Sequence, residues 1–460
     1  MSDLGLYIAA SALDAQQAGM DVVAQNMANI NTSGYDQERV DLTTVGGGIA
    51  GIGGGVSATD VTRVTSPLAQ STSYAASAIE ASLSAYATML QSAQANFPEP
   101  NGGGIQSQLS TFWNAWDGVA NDPTAPAPRQ ELLSSAQELT NSLNQAYDSL
   151  VQEQNQGVSE IQSSTSQVND LLSQVASLNG QISDVKAAGG DVSSLYDQMN
   201  GLTSQLANLV GASSQVTSDG STIVRLGGFT LVQGTQVVDT LNVVTTGGGP
   251  TLAVSVNSSL TGAAFPLIAG TIAGEIHAVA TIGGYENQLN GVASALANTV
   301  NNQLAAGGYW SGGTLVTPGP PMFVNAGTGT ATGLTASDIT VSPALLANPS
   351  EIAASSATAT GPNDGSNAQI LADDFNVAGG PDQAYQAFIA TLGSNVQSAT
   401  NELQAQQTVS QTASANLQQI TGVNPNEQSA EMLLYQQAYE AATKMVTTID
   451  TAMQSLLSAV

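Results

Sequence analysis

A mainly α fold interrupted by an inserted β module, arranged as an elongated, nested, multidomain rod with paired terminal coiled-coil helices, is the class this 460-residue sequence predicts. Three observations lead there. Apolar residues recur at alternating steps of three and four at both ends of the chain, and a helical period dominates residues 67 to 211 and 382 to 420. Between residues 215 and 264 the period switches to two and glycine-rich turns appear. The expected domains are a terminal coiled coil (1–35 with 422–460), a mainly helical bundle (36–214 with 265–421, including an irregular, partly β excursion at 306–350) and a β-rich outer domain (215–264).

The first element is a helix. Leu6, Ala9, Leu13, Gln16, Met20, Val23, Met27 and Ile30 form a three-four row with one polar member, and Leu4, Ile8, Ala15 and Val22 form a parallel one. Ala28 to Tyr35 is a turn-rich stop in which Gly34 suits a left-handed cap. Residues 36 to 66 read as extended, with a glycine run from Gly46 to Gly55 that lacks the Lys-Ser/Thr of a phosphate-cradling loop and reads as a hairpin connection.

The bundle segment is broken at Phe97–Gly102 and Asp122–Pro128. Leu132, Ala136, Leu139, Leu143, Ala146 and Leu150 mark one helix face; Val168, Leu171, Leu172, Val175, Leu178 and Ile182 mark another. Phe112, Trp113 and Trp116 share a helical spacing and read as a core wedge in preference to a ligand-stacking box. Strands are expected at Thr222–Leu226, Thr230–Val232, Leu241–Val244 and Leu252–Val256, and, in the later Gly/Pro/Thr-rich stretch, at Met322–Asn325 and Ile339–Ser342. A helix is expected over about 274 to 304. The last one follows Pro425, where Met432, Tyr435, Tyr439, Ala442, Val446, Ile449, Met453, Leu456 and Val460 sustain a strict heptad seam. Two such terminal helices can pair, but Ala, Gly and Gln dilute both stripes, so ordering on assembly is the expectation.

Charge and composition exclude whole classes of function. Thirty-five acidic side chains face six basic ones, for a formal charge of −29, and the six cations (Arg39, Arg63, Arg129, Lys186, Arg225, Lys444) lie far apart in sequence. No basic stripe exists to neutralise phosphates, so nucleic acid is not an expected partner. With no cysteine and a single histidine, His277, the chain has no means for disulfides, thiol chemistry, zinc clusters or His-based triads. Asp219, Asp239 and Glu275 are too scattered to define a catalytic carboxylate pair. No catalytic residue, metal ligand or cofactor is expected. The N-terminus shows no basic-then-apolar leader, and no membrane span is expected because no run approaches about eighteen apolar residues.

Two segments then carry a specific resemblance. Gln25-Asn26-Met27-Ala28-Asn29-Ile30-Asn31-Thr32-Ser33-Gly34-Tyr35 resembles the motif shared by bacterial flagellar rod, hook and hook-associated proteins; Asn26, Asn29, Thr32, Gly34 and Tyr35 carry it. Gly422 to Glu427, followed by Tyr435-Gln436-Gln437-Ala438-Tyr439 and Val446-Thr447-Thr448-Ile449-Asp450, resembles their C-terminal motif. The interior is similar to the hook-associated branch of this axial family at Asp122-Pro123 with Arg129-Gln130, at Val175 to Ile182, at Phe229 to Gly234, at Pro343 to Ala353 and at Gly365 to Ala368. The segment Tyr196-Asp197-Gln198-Met199-Asn200-Gly201-Leu202 departs from the family's charged Leu-Asp-Gln-Arg-Asp-x-Leu pattern, which puts an ion pair in doubt.

The resemblance implies a structural subunit of the flagellum, forming a ring at the junction between hook and filament and required for filament assembly. Its implied partners are copies of itself, the flagellar hook protein, the second hook-filament junction protein, and a cytosolic export chaperone that takes the C-terminal helix. It also implies export without a cleaved signal peptide, through the flagellar type III apparatus, to an extracellular position at the hook tip. The implied assembly residues are the two seams: Leu6, Leu13, Met20, Val23, Met27 and Ile30 at one end, Met432, Tyr435, Tyr439, Ala442, Val446, Ile449, Met453 and Leu456 at the other. A hook or distal-rod subunit is the alternative within the family, and an extracellular glycan-binding protein or hydrolase the alternative outside it. The shortage of cations suggests an acidic exterior, since near pH 3 most carboxylates, with ordinary pKa values of about 3.9–4.3, would be neutral.

Overall fold

The computed structural model describes every residue except Met1, Ser33, 47–52, 100–102 and Val460, and leaves out the side chains of Ser2, Asp3 and Leu456. Helices dominate: α1 (Ser2–Ala28), α2 (Pro67–Ala95), α3 (Ile105–Asn121), α4 (Pro126–Ala187), α5 (Ser193–Val210), α6 (Thr271–Ala306), α7 (Pro343–Ala347), α8 (Ser366–Ala372), α9 (Pro381–Thr421) and α10 (Pro425–Ser458). The strands are short: β1 (Glu38–Thr44), β2 (Val56–Arg63), β3 (Ser213–Val216), β4 (Thr222–Leu226), β5 (Phe229–Gln233), β6 (Gln236–Val237), β7 (Leu241–Thr246), β8 (Ala253–Ser258), β9 (Gly307–Ser311), β10 (Thr314–Val316), β11 (Phe323–Asn325), β12 (Ile339–Val341) and β13 (Ser355–Ser356). The fold is mainly α with small antiparallel sheets, as the two periodicities predict.

The chain divides into two compact units, each assembled from separated segments: 1–79 with 170–239 and 406–460, and 80–169 with 240–405. In the first unit α1 packs along α10 and against the β1–β2 hairpin. That hairpin pairs Glu38 with Arg63 through to Thr44 with Val56, so Glu38–Thr44 and Val56–Arg63 are the extended parts of the expected stretch; most of the glycine run that joins them lies outside the described residues. The sheet β3-β4-β5-β6 also belongs to this unit.

The second unit contains the hairpin β7–β8 (Leu241 opposite Ser258), the sheet β10-β9-β13 and the pair β11–β12. The β residues expected as one outer domain over 215–264 therefore form two separate sheets, which cluster with different parts of the chain. Period-two patterning identifies strands but not which strands share a sheet. The core of this unit is aromatic and aliphatic. Phe112, Trp113 and Trp116 are fully buried, with the Phe112 ring 5.8 Å from that of Phe323, which makes them the core wedge their spacing suggests. His277 is exposed on α6 and stacks on Tyr86 at 4.3 Å between ring centroids.

The two helix faces read between Leu132 and Ile182 belong to one continuous 62-residue helix, α4. Gly157 lies in its middle at a close approach: a Cβ would sit 2.3 Å from Met89 Cε and 2.8 Å from Val279 Cγ2, so those side chains would have to shift. Close approach, not a break, explains this glycine.

Candidate assembly site

The two ends of the chain meet at a buried asparagine. Asn26 lies on the last turns of α1, where Nδ2 donates to the Glu38 carbonyl (2.8 Å) and to Gln428 Oε1 (2.9 Å). Its Oδ1 accepts from the Glu38 amide (2.9 Å) and from the Tyr35 hydroxyl (2.9 Å). One side chain thus fastens α1 to β1, to the turn after α1 and to the first turn of α10. An asparagine suits this position because its amide offers two donors and two acceptor sites, all used here. Gln428 Nε2 continues the network to Glu431 Oε2 (3.1 Å).

The other motif residues shape the turn. Asn29 Nδ2 donates to the Gln25 carbonyl (3.1 Å) and Asn29 Oδ1 accepts the Thr32 hydroxyl (3.1 Å). Gly34 stands at φ +82°, the left-handed conformation expected of it. Ser33 lies outside the described residues. The Gln37 amide then donates to the Thr421 carbonyl (2.7 Å), and Asn424 Oδ1 accepts the Asn426 amide (3.0 Å), capping α10 just before Pro425 at its first turn. The Arg39–Glu427 pair beside this junction is exposed at 3.7 Å and contributes little.

Around Asn26 burial acts on the titratable groups. It holds the Tyr35 hydroxyl far above the usual phenol range, with the Glu38 and Asp197 carboxylates adding to the effect. Burial likewise raises Glu38. Replacing Asn26 with Leu would leave the Glu38 amide and carbonyl, the Tyr35 hydroxyl and Gln428 Oε1 without this partner, at a cost of about 2–4 kcal/mol. Hydrogen exchange of α1 amides should then accelerate, while tryptophan fluorescence, whose three sources are Trp113, Trp116 and Trp310 in the second unit, keeps its unfolding midpoint.

On α10 the heptad seam is one continuous covered face: Ala442 is buried, and Met432, Tyr435, Tyr439, Val446, Ile449 and Met453 are half-buried. The side chain of Leu456 lies outside the described residues. Tyr435 lies flat against α1 at Gly19, where a Cβ would come 2.5 Å from the ring, and Ile449 reaches Gly5.

On α1 burial is shared between the expected row and its parallel one. In the expected row Ala9 and Val23 are buried and Leu13 and Met20 half-buried, while Leu6 (41%) and Met27 (41%) are exposed, as is Ile30 (38%) in the turn after the helix. In the parallel row Ala15 and Val22 are buried and Leu4 and Ile8 half-buried. The reason is packing. Gly19 leaves room for the Tyr435 ring of α10, and the β1–β2 hairpin packs on the same helix, so α1 is covered by two partners and not along one stripe.

A charged cluster that motif reading missed lies in the same unit. Arg63 at the end of β2 pairs with Asp197 and with Asp36 Oδ2 (2.9 Å) and lies over the Tyr196 ring at 5.8 Å. Asn200 Nδ2 adds a contact to Asp36 Oδ2 (3.3 Å). The departure from the family's charged pattern therefore leaves Asp197 with an ion pair inside the chain. Burial raises Asp36 and Asp197 more than Arg63 lowers them. The only signal in sequence was the scarcity of cations, which makes each buried carboxylate compete for few partners.

The interior segments that carried the resemblance are also cross-links. Asn179 Nδ2 donates to the Thr222 and Gly234 carbonyls (2.8 Å each), while Asn179 Oδ1 accepts the Thr222 amide (2.8 Å). Arg129 Nε donates to the Pro123 carbonyl and its Nη1 to those of Pro349 and Ile352, all at 2.9 Å. Asn367 Nδ2 donates to the Ala353 carbonyl (2.6 Å), and Asn367 Oδ1 accepts from Gln303 Nε2 (2.7 Å). Among the described residues no group of three His, Cys, Asp or Glu side chains could hold a metal ion, and no helix is long and apolar enough to cross a membrane.

Comparison with known proteins agrees with this arrangement. The family model of the flagellar hook-associated protein FlgK helical domain matches residues 90–323, that of the flagella basal body rod protein residues 6–35, and that of the flagellar basal body rod FlgEFG protein C-terminal residues 419–459. The flagellar basal-body rod protein FlgG of Agrobacterium fabrum is 53% identical over 38 residues, which are 8% of this chain and 14% of that protein. The chain thus matches only a small part of that relative's length. The flagellar hook junction protein FlgK from Burkholderia pseudomallei has a similar fold, with a TM-score of 0.64 at 17% identity, covering 76% of this chain and all of that one. With a helical domain of this family over half its length and axial-protein segments at both ends, the chain belongs to the flagellar hook-associated protein FlgK family and is a structural component of the flagellar hook region.

Proposed function

We propose that the chain is the subunit that joins hook to filament, and that the α1–α10 pair is the surface it presents to neighbouring copies, to the hook protein and to the second hook-filament junction protein. The observation that carries this reading is apolar surface left over after the two helices have packed. Leu6, Tyr7 and Met27 on α1, Ile30 in the turn after it, and Leu433, Leu434, Met445 and Leu457 on α10 remain exposed within the chain. These helices coincide with the segments shared with rod proteins, residues 6–35 and 419–459. The domain made of 1–35 with 422–460 is accordingly the assembly domain, and the seam of α10 is the face an export chaperone would cover before assembly. Export without a cleaved leader to an extracellular hook tip belongs to the same reading. A hook or distal-rod subunit is less well supported, because helix occupies more than half of the chain and the hook-associated helical domain matches its centre.

Leu434 and Met445 lie eleven residues apart, three turns of one helix face. Changing both to Asp leaves the monomer's stability within about 0.5 kcal/mol, since both are exposed. Electron microscopy of cells carrying the double variant should show hooks with few filaments. Filaments of normal number and length would overturn the assignment of this face to neighbours.

A further inference from the structure

The second unit buries carboxylic acids it has no cation to pair with. Arg129 is its only Lys or Arg, against eighteen Asp and Glu, and that guanidinium is spent on three backbone carbonyls. Glu275 and Glu286 lie on α6, eleven residues apart and so on one helix face, at 5% and 0% exposure. Neither oxygen of Glu286, nor Oε2 of Glu275, has a hydrogen-bond partner of ordinary geometry.

The surroundings of each are uncharged or of like charge. Glu286 faces the Tyr147 hydroxyl of α4, which draws it down by less than burial raises it, and the backbone turn Gly249–Thr251, which bears no titratable group. Near Tyr147 the further charge is Asp148, another carboxylate. Glu275 feels Glu160 of α4, itself beside Glu153. From α2 the Ser82 carbonyl comes up against Gly274, and Tyr86 is stacked on the exposed His277. An ionised carboxylate buried without a partner is costly, whereas a protonated one is a neutral donor that can reach a carbonyl or hydroxyl.

We infer that Glu275 and Glu286 form a proton-operated lock in this unit, whose packed state is the one with both carboxyls protonated, so that acid tightens the unit and neutral to alkaline medium loosens it. Burial pushes both groups up to about 7. The folded state therefore holds protons that the unfolded chain has released. The stabilisation is complete below the ordinary Glu pKa of about 4.3 and is lost as pH rises through about 7, on the order of a hundredfold in the folding equilibrium per group. Asp382, buried with Oδ1 unpartnered, acts in the same direction. Asp364, lowered to about 2, titrates below this window and does not mask it.

All three tryptophans lie in this unit, so urea unfolding of the full chain followed by tryptophan fluorescence reads it selectively. Between pH 4.5 and 7.5 the wild-type midpoint should fall steadily. The variant carrying Glu275→Gln and Glu286→Gln should lose more than half of that fall and unfold later than wild type at pH 7.5. A wild-type midpoint that rises with pH, or a double variant that keeps the wild-type slope, overturns the proposal. Should the double variant not fold, infrared spectroscopy of the wild-type chain at pH 6 decides: a protonated-carboxyl C=O band supports the lock, and its absence refutes it.

Discussion

Cells whose only copy of this chain lacks residues 425–460 are expected to build hooks and no filaments. The deletion removes α10 entirely, and with it the Tyr435 ring that covers Gly19 of α1, the Ile449 contact at Gly5 and the Gln428 acceptor of Asn26. The second unit contains none of these residues and should keep its helical circular dichroism and its tryptophan unfolding midpoint. A milder version separates loss of α10 from loss of its contact. Val446→Asp or Ile449→Asp places a carboxylate on the half-buried seam, Ile449 against Gly5, at an expected cost of about 2–4 kcal/mol for a partly desolvated, unpaired charge. Both should reduce filament number on electron micrographs, and normal filaments on cells with the deletion would remove the proposed role of the terminal pair.

Replacing Arg129 with Met is expected to destabilise the second unit by about 4–6 kcal/mol, because three buried carbonyls lose charge-assisted hydrogen bonds at once. Burial lowers the guanidinium pKa; an arginine keeps its charge in proteins, and here the three carbonyls compensate it. They come from the turn before α4 and from the segment after α7, which the arginine holds together across about 220 residues of chain. Urea unfolding monitored by tryptophan fluorescence measures the change. Lysine should recover little of it, since an ammonium lacks the planar fork that serves Pro123 on one side and Pro349 and Ile352 on the other.

How much could be read from the residues differs from feature to feature. The α10 seam was legible because Leu, Ile, Val, Met and Tyr at a strict three-four spacing have one helical interpretation. The inner face of α1 was not. Its two candidate rows are both apolar, and burial falls on members of both because α10 and the hairpin each pack against the helix. The strands around residues 222–258 were visible in their alternation, but their separation into a four-stranded sheet and an independent hairpin was not, since pairing partners are chosen by contacts that alternation does not encode. The axial motif pointed to Asn26, Asn29, Thr32, Gly34 and Tyr35, and the turn they form follows from local chemistry. Gln428 went unnoticed, because it lies 402 residues away and carries no pattern of its own.

By itself the sequence determined the helical class, the pairing of like ends, the family and the shortage of cations, because periodicity, turn chemistry and composition are properties of neighbours along the chain. Only the tertiary structure decided which cations meet which carboxylates. Arg63 goes to Asp36 and Asp197 and Arg129 to backbone carbonyls, while among the described residues Glu275 and Glu286 are in no ion pair. The physical reason is that Coulomb and hydrogen-bond energies depend on distances of a few ångströms between groups that the fold, and not the order of residues, brings together.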